Sequence, residues 1–98
     1  EPLPRFGKGL YSGLRVRKVP QGMQIDGGVQ AKNDYDVIAE FPSGFKPAND
    51  AYVTTFDGKG TAFIGIKSAT STGAPGITFF RGTNEKRIVA VSTIVPLD

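Results

Sequence analysis

Cysteine, histidine and tryptophan are all missing from this chain of 98 residues. Without cysteine there is no disulfide framework, no thiolate nucleophile and no cysteine-based metal site. Without histidine the usual general base and the commonest remaining zinc ligand go as well, which excludes most hydrolase triads. Long apolar runs are absent too: none approaches the ~20 residues a membrane span needs. The opening Glu1-Pro2-Leu3-Pro4-Arg5 has no signal-peptide pattern. The expectation is a soluble chain with no membrane insertion. Helical periodicity is the last absence, since no sustained i, i+3, i+4, i+7 apolar stripe runs between the glycines and prolines.

What is present is turn chemistry and charge. Thirteen glycines and seven prolines fall between apolar runs rather than in one low-complexity block. The length suits one domain, but the apolar fraction is only 39 %, so oligomerisation would help to cover the core. The net charge is +3, and only Arg15-Val16-Arg17-Lys18 and Lys86-Arg87 are close-set. Neither forms the dense basic stripe that phosphate-backbone binding requires, so solvated faces are expected and nucleic acid is not. Beginning on Glu1 without Met suggests a piece excised from a longer protein.

Period-two alternation predicts strands throughout. Leu14, Val16 and Lys18 alternate with Arg15, Arg17 and Val19; Pro20-Gln21-Gly22 turns the chain, and Met23 and Ile25 share a face of the next strand. Gly27-Gly28 suggests a bulge before Val29. Tyr35, Val37, Ala39 and Phe41 are expected to face one way along a strand ending at Pro42. Pro42 to Pro47 makes a rigid corner with Phe45 tucked inward as an anchor. Ala51 to Phe56 and Thr61 to Lys67 flank Asp57-Gly58-Lys59-Gly60, a strong hairpin signal in which Asp-Gly favours a tight primed turn. Ser68 to Gly76 should be an exposed loop. Ile77 to Arg81 forms a short strand and Arg87 to Val95 a β-branched final one. Turn signals roughly 8 to 12 residues apart indicate an all-β domain, an antiparallel sandwich or barrel of about seven or eight strands.

The search for chemistry finds little. None of the serines lies in a Gly-x-Ser-x-Gly elbow. Carboxylates at Asp26, Asp34, Asp36, Glu40, Asp50 and Asp57 could pair for glycoside cleavage, but they sit mostly at turns or beside glycine, where Asp is favoured for backbone reasons. Asn33, Asp34 and Asp36 only loosely resemble a calcium loop. Gly7-Lys8-Gly9 and Gly58-Lys59-Gly60 lack the Walker pattern and its strand-to-helix setting. No cofactor and no metal is expected, and the domain is not expected to be an enzyme. Tyr11, Tyr35, Tyr52, Phe56, Phe63, Phe79 and Phe80 could stack on sugar rings, although most are expected in the core. In Phe79-Phe80, alternation sends one ring inward and the other outward.

The order of segments is similar to that of a known family. Gly13-Leu14-Arg15-Val16-Arg17-Lys18, a short β run closing on Gly27-Gly28-Val29, then Phe41-Pro42-Ser43-Gly44-Phe45-Lys46-Pro47, resembles the C-terminal head domain of tailed-phage baseplate proteins. The nearest likeness is to lactococcal receptor-binding proteins. Thr61 to Ile66, a polar loop, Gly76-Ile77-Thr78-Phe79-Phe80 and a closing strand continue the likeness over most of the chain. The resemblance implies a β-barrel head that forms a homotrimer and recognises saccharides on a Gram-positive host. It also implies that residues 1–8 end a neck and that 9–98 are the head. Such heads bind sugar with a His and an Asp on the strand matching Thr61 to Ile66, where Phe63 and Gly65 stand here. A Trp and an Arg complete their site; Phe79-Phe80 could replace the Trp, and Arg87, less readily Arg81, could supply the guanidinium.

The expected function is therefore saccharide binding at the distal tail of a virion, during adsorption to the host. The candidate contacts are Phe63, Phe80, Arg87, Asp57, Lys59 and Asn84, and the expected partners are host cell-wall saccharide, two further copies of the chain and other baseplate proteins. The alternative is a structural baseplate module that makes protein contacts without binding sugar. A small glycosidase or esterase is the third and least favoured class.

Overall fold

Alternation along the sequence becomes eight strands and no helix in the computed structural model, which describes residues 11–98. β1 (Tyr11–Ser12) is a two-residue pairing; the longer strands are β2 (Arg15–Val19), β3 (Gly22–Gln30), β4 (Asp36–Glu40), β5 (Ala51–Phe56), β6 (Thr61–Lys67), β7 (Gly76–Gly82) and β8 (Ile88–Val95). The proposed neck and Gly7-Lys8-Gly9 lie outside the described residues.

All pairings are antiparallel and fall into two sheets. In the first, β3 is central: β8 lines one edge, while β2 and then β1 share the other. The ladder from β3 to β8 is continuous from Met23↔Val95 to Gln30↔Ile88, so the expected bulge at Gly27-Gly28 does not form there. Instead the opposite edge changes partner. β2 pairs as far as Asp26 and β1 resumes at Val29, with Gly13 and Leu14 crossing between them. A Cβ on Gly27, whose φ is +123°, would lie 2.2 Å from the Gly13 carbonyl oxygen. Glycine is needed at that position so that the crossing backbone can approach.

The second sheet has the order β4-β7-β6-β5. Its hairpin of β5 and β6 runs from Ala51↔Ile66 to Phe56↔Thr61, the boundaries the sequence indicates. At the open end the Asp50 carboxylate accepts hydrogen bonds from the Ser68 N–H and hydroxyl, which hold it below the usual carboxylate range. β4 departs from simple alternation. Val37 opposes Thr78 and Ala39 opposes Ile77, leaving Ile38 as an extra residue, so Val37, Ile38 and Ala39 are all buried. Tyr35 lies outside the strand at φ 62°, exposed rather than on the inward face.

The inward faces meet in one core. Leu14, Val16, Met23, Ile25, Val29, Val89 and Val91 pack from the first sheet against Ile38, Ile64, Ile66, Ile77 and Phe79 of the second. Phe45 packs partly buried against this core, with the Lys18 ammonium over its ring. The corner after β4 is tied to the end of the described chain through Pro47↔Leu97 and the Ala48 N–H to Pro96 carbonyl bond. Along one seam the Thr55 hydroxyl donates to the Ala90 carbonyl, linking β5 to β8. No backbone ladder joins the two sheets among the described residues, so the fold is a sandwich and not a closed barrel.

Candidate functional site

The outer face of the β4-β7-β6-β5 sheet is aromatic. With Ala51, Val53 and Thr55 turned toward the interior, Tyr52, Thr54 and Phe56 project outward from β5. Tyr52 stands opposite Gly65, and Thr54 opposite Phe63. On β7, Phe63 opposes Arg81 while Ile64 opposes Phe79, which makes Phe80 the extra residue of a bulge. Alternation already aims Phe80 outward after the buried Phe79; the bulge turns Arg81 to the same side and sets it beside Phe63.

Three rings converge there. Phe63 and Phe80 have centroids 5.1 Å apart, Tyr52 and Phe80 6.0 Å, and Tyr52 and Phe63 6.2 Å, with no interplanar angle above 31°. Tyr35 extends the group edge-on to Phe80 at 6.1 Å. Gly65 lies beneath them: a Cβ added there would come within 3.0 Å of Phe80 and 3.3 Å of Tyr52. The absence of a side chain on β6 therefore lets rings from its two neighbours close over the strand. Tyr35, Tyr52 and Phe63 remain 68 %, 53 % and 42 % exposed, far above what a core assignment allows. Phe79 alone of these aromatic residues is fully buried. Beside Phe63 a groove of about 500 Å³ is lined by Thr54, Thr61, Arg81, Gly82 and Thr83. It combines an apolar ring, hydroxyls and one guanidinium.

The loops at this end of the sheet are braced by Asp57. Gly58 takes φ +87° and the chain closes through the Asp57 N–H to Gly60 carbonyl bond, a four-residue loop in place of the two-residue primed turn expected. Asp57 Oδ1 accepts the N–H groups of Lys59 and Gly60; Oδ2 accepts the Thr83 N–H and hydroxyl and the Asn84 N–H, all within 2.6–2.9 Å. Burial pushes this carboxyl up, but the hydrogen bonds from Thr83, Gly60, Lys59 and Asn84 outweigh it and hold the group well below the usual carboxylate range.

These contacts place the candidates expected from sequence. Phe63 and Phe80 come together at the centre of the aromatic group. Asp57 does not face solvent; at 1 % exposure its oxygens serve the loop. Asn84 is similarly engaged, donating to the Asp57 carbonyl and accepting from the Lys86 N–H. Lys59 points to Glu85 at 3.7 Å on the surface. Arg87 precedes β8 rather than beginning it, takes φ 57°, and places Nε 3.0 Å from Asp34 Oδ1. The pair ties Asp34, one member of the loose calcium-like triplet, to the loop after β7. No cluster of three metal-ligating side chains occurs among the described residues. Thr54 joins the site without having been singled out for it, while Tyr35 and Tyr52 come from a set of rings expected mostly in the core, and Arg81 is the less favoured of the two guanidinium candidates. The signal for Tyr52 was its alternation with Val53; none in the sequence pointed to the bulge that turns Arg81.

Neither known protein families, nor curated proteins, nor solved structures provide a match to this chain.

Proposed function

We propose that this chain is a non-enzymatic saccharide-binding domain, the receptor-binding head of a tailed-phage baseplate protein that recognises a cell-wall saccharide of a Gram-positive host. The observation that carries the proposal is the aromatic group of Tyr35, Tyr52 and Phe63, exposed around the half-buried Phe80, beside a groove bearing threonine hydroxyls and Arg81. The apolar face of a sugar ring packs on an aromatic ring, while its hydroxyls exchange hydrogen bonds with the groove. Arg81 is the sole ionic side chain lining that groove, and its planar donors suit vicinal hydroxyls or an acidic substituent. A homotrimer would add avidity to a shallow site that binds weakly on its own.

Titration of oligosaccharides released from Gram-positive cell walls, followed by NMR shifts of the Tyr52 and Phe63 rings, tests this. Binding should fall at least about fivefold in Phe63→Ala, since stacking a ring on an aromatic side chain is worth ~1 kcal/mol or more. Undiminished binding in both Tyr52→Ala and Phe63→Ala would remove the aromatic group from the site. The second reading is a structural baseplate module. It is favoured by Phe56, 62 % exposed on the same face, because exposed rings are also what protein interfaces cover. A domain that ignores wall glycans but is captured through these rings by a baseplate protein would decide for it.

A further inference from the structure

Two residues near the aromatic group hold a left-handed backbone without being glycine: Tyr35 at φ 62° and Arg87 at φ 57°. They are the only such residues among those described, and they sit on two loops that touch. The Arg87 carbonyl accepts the Ala31 N–H, Gln30 Nε2 donates to the Lys86 carbonyl, and Arg87 Nε meets Asp34 Oδ1 at 3.0 Å. One residue on, the Tyr35 N–H donates to the Phe80 carbonyl at 3.1 Å and its ring meets Phe80 edge-on. Bulky residues avoid this conformation unless their surroundings fix it.

We infer that the Asp34–Arg87 ion pair is a latch that fixes Tyr35 against Phe80, making Asp34 and Arg87 positioning residues for the aromatic site instead of ligand contacts. The geometry supports this division of labour. A guanidinium whose Nε is spent on a neighbouring carboxylate, and whose own backbone is closed by a bond from its N–H to the Asn84 carbonyl, is braced as a strut. Tyr35, by contrast, is the most exposed large apolar residue of the described chain. A flexible tyrosine there would sample many rotamers; latched, it presents a fixed ring at the outer end of the group, and binding loses less entropy. The pair is half-exposed and therefore sensitive to salt.

The inference rests on the saccharide reading for its ligand but not for its latch, and one experiment separates the two. Arg87→Gly keeps the left-handed backbone and deletes only the side chain; Asp34→Asn removes the charge at the other end. Nuclear Overhauser contacts between the Tyr35 and Phe80 rings, measured without ligand, should vanish or weaken in both variants and recover in the reversed pair Asp34→Arg with Arg87→Asp. Affinity for the wall oligosaccharides should fall about two- to fivefold, the range of an exposed ion pair, and no further in Tyr35→Ala combined with Arg87→Gly than in Tyr35→Ala alone. Ring contacts that persist in both single variants would overturn the latch. Contacts that persist while affinity drops would make Arg87 a direct ligand contact and overturn it too. If wild type binds none of the oligosaccharides, the saccharide reading fails, and the ring contacts still decide for or against the latch.

Discussion

The two sheets contribute to the same core yet differ on their outer faces. On the first, Arg15 and Arg17 of β2 stand opposite Asp26 and Gln24 of β3, with Arg17 Nε donating to Gln24 Oε1 at 2.7 Å, and Ser92 and Ile94 of β8 complete the rows. This is largely the polar pattern of an antiparallel sheet with one face in water, with Ile88 and Ile94 of β8 exposed along its edge. On the second, the same positions carry Tyr52, Phe56, Phe63 and Phe80. The first sheet folds without such a group of rings on its outer face, so the aromatic face is the one the proposed function has to explain. That contrast, rather than any single residue, is what the proposed binding surface rests on.

The comparison is sharpest within one dipeptide. Phe79 is buried in the core and Phe80 faces out. Phe79→Ala should cost about 3–5 kcal/mol of stability, because it removes a large buried ring and leaves a cavity. Phe80→Ala should cost less, about 1–2 kcal/mol, because its half-buried ring leaves no closed cavity and the neighbouring rings can resettle, while abolishing detectable glycan binding. Urea denaturation of both variants checks the pair; similar losses would mean that the outer rings serve as a second core.

The next largest effect belongs to the loops under the aromatic group. Asp57→Asn keeps the shape of the brace but replaces an ionised acceptor of five hydrogen bonds with an amide whose NH₂ faces donors. The thermal midpoint should drop by about 10 °C or more. The pH dependence has a definite sign. Because folding lowers the pKa of Asp57, its stabilisation is fully present above the ordinary aspartate value of ~3.9 and is lost as pH falls toward and through the folded value. Wild type should therefore lose stability from about pH 5 downward, and Asp57→Asn should show a flatter curve over that window. Matching acid profiles would mean that the brace does not govern acid stability.

Much of this sandwich was legible in the sequence. Strand positions and the β5–β6 hairpin follow from alternation punctuated by glycine and proline, and Phe79 and Phe80 divide as their parity dictates. The site was legible only in part. Asp57, Lys59 and Asn84 look like exposed loop donors and acceptors, yet a loop must satisfy its own backbone, and Asp57 and Asn84 are consumed in doing so. The β-bulges were illegible because an extra residue on one strand is defined only against its partner, and Ile38 and Phe80 carry no local mark of it. Composition was misleading about the aromatic residues: burial statistics favour the core, whereas four of them lie exposed on one face.

Gly65 allows a milder change to the aromatic face. In Gly65→Ala the new methyl would meet Phe80 at 3.0 Å and Tyr52 at 3.3 Å, contacts that rotation of exposed rings can relieve. Stability should change by no more than about 1 kcal/mol, since better strand propensity offsets crowding. Glycan affinity should fall severalfold as the rings part. Unchanged affinity, with the ring shifts visible by NMR, would mean that the spacing of Tyr52 and Phe80 is immaterial to the ligand.

The smallest effect is expected on the opposite sheet. Arg17→Ala removes one exposed side chain and its bond to Gln24, which water replaces on both sides, so stability should move by less than about 0.5 kcal/mol. Affinity for wall glycans should not move at all, because Arg17 and the aromatic group lie on outer faces of opposite sheets. This near-silence is informative, because it separates local recognition from attraction by the whole molecule. A net charge of +3 could draw an acidic wall polymer to any part of the surface, and in that case Arg17→Ala and Arg81→Ala would weaken binding alike and lose their effect together at high salt. If recognition belongs to the groove beside Phe63, only Arg81→Ala weakens it, and the loss persists at salt concentrations that screen the rest of the surface.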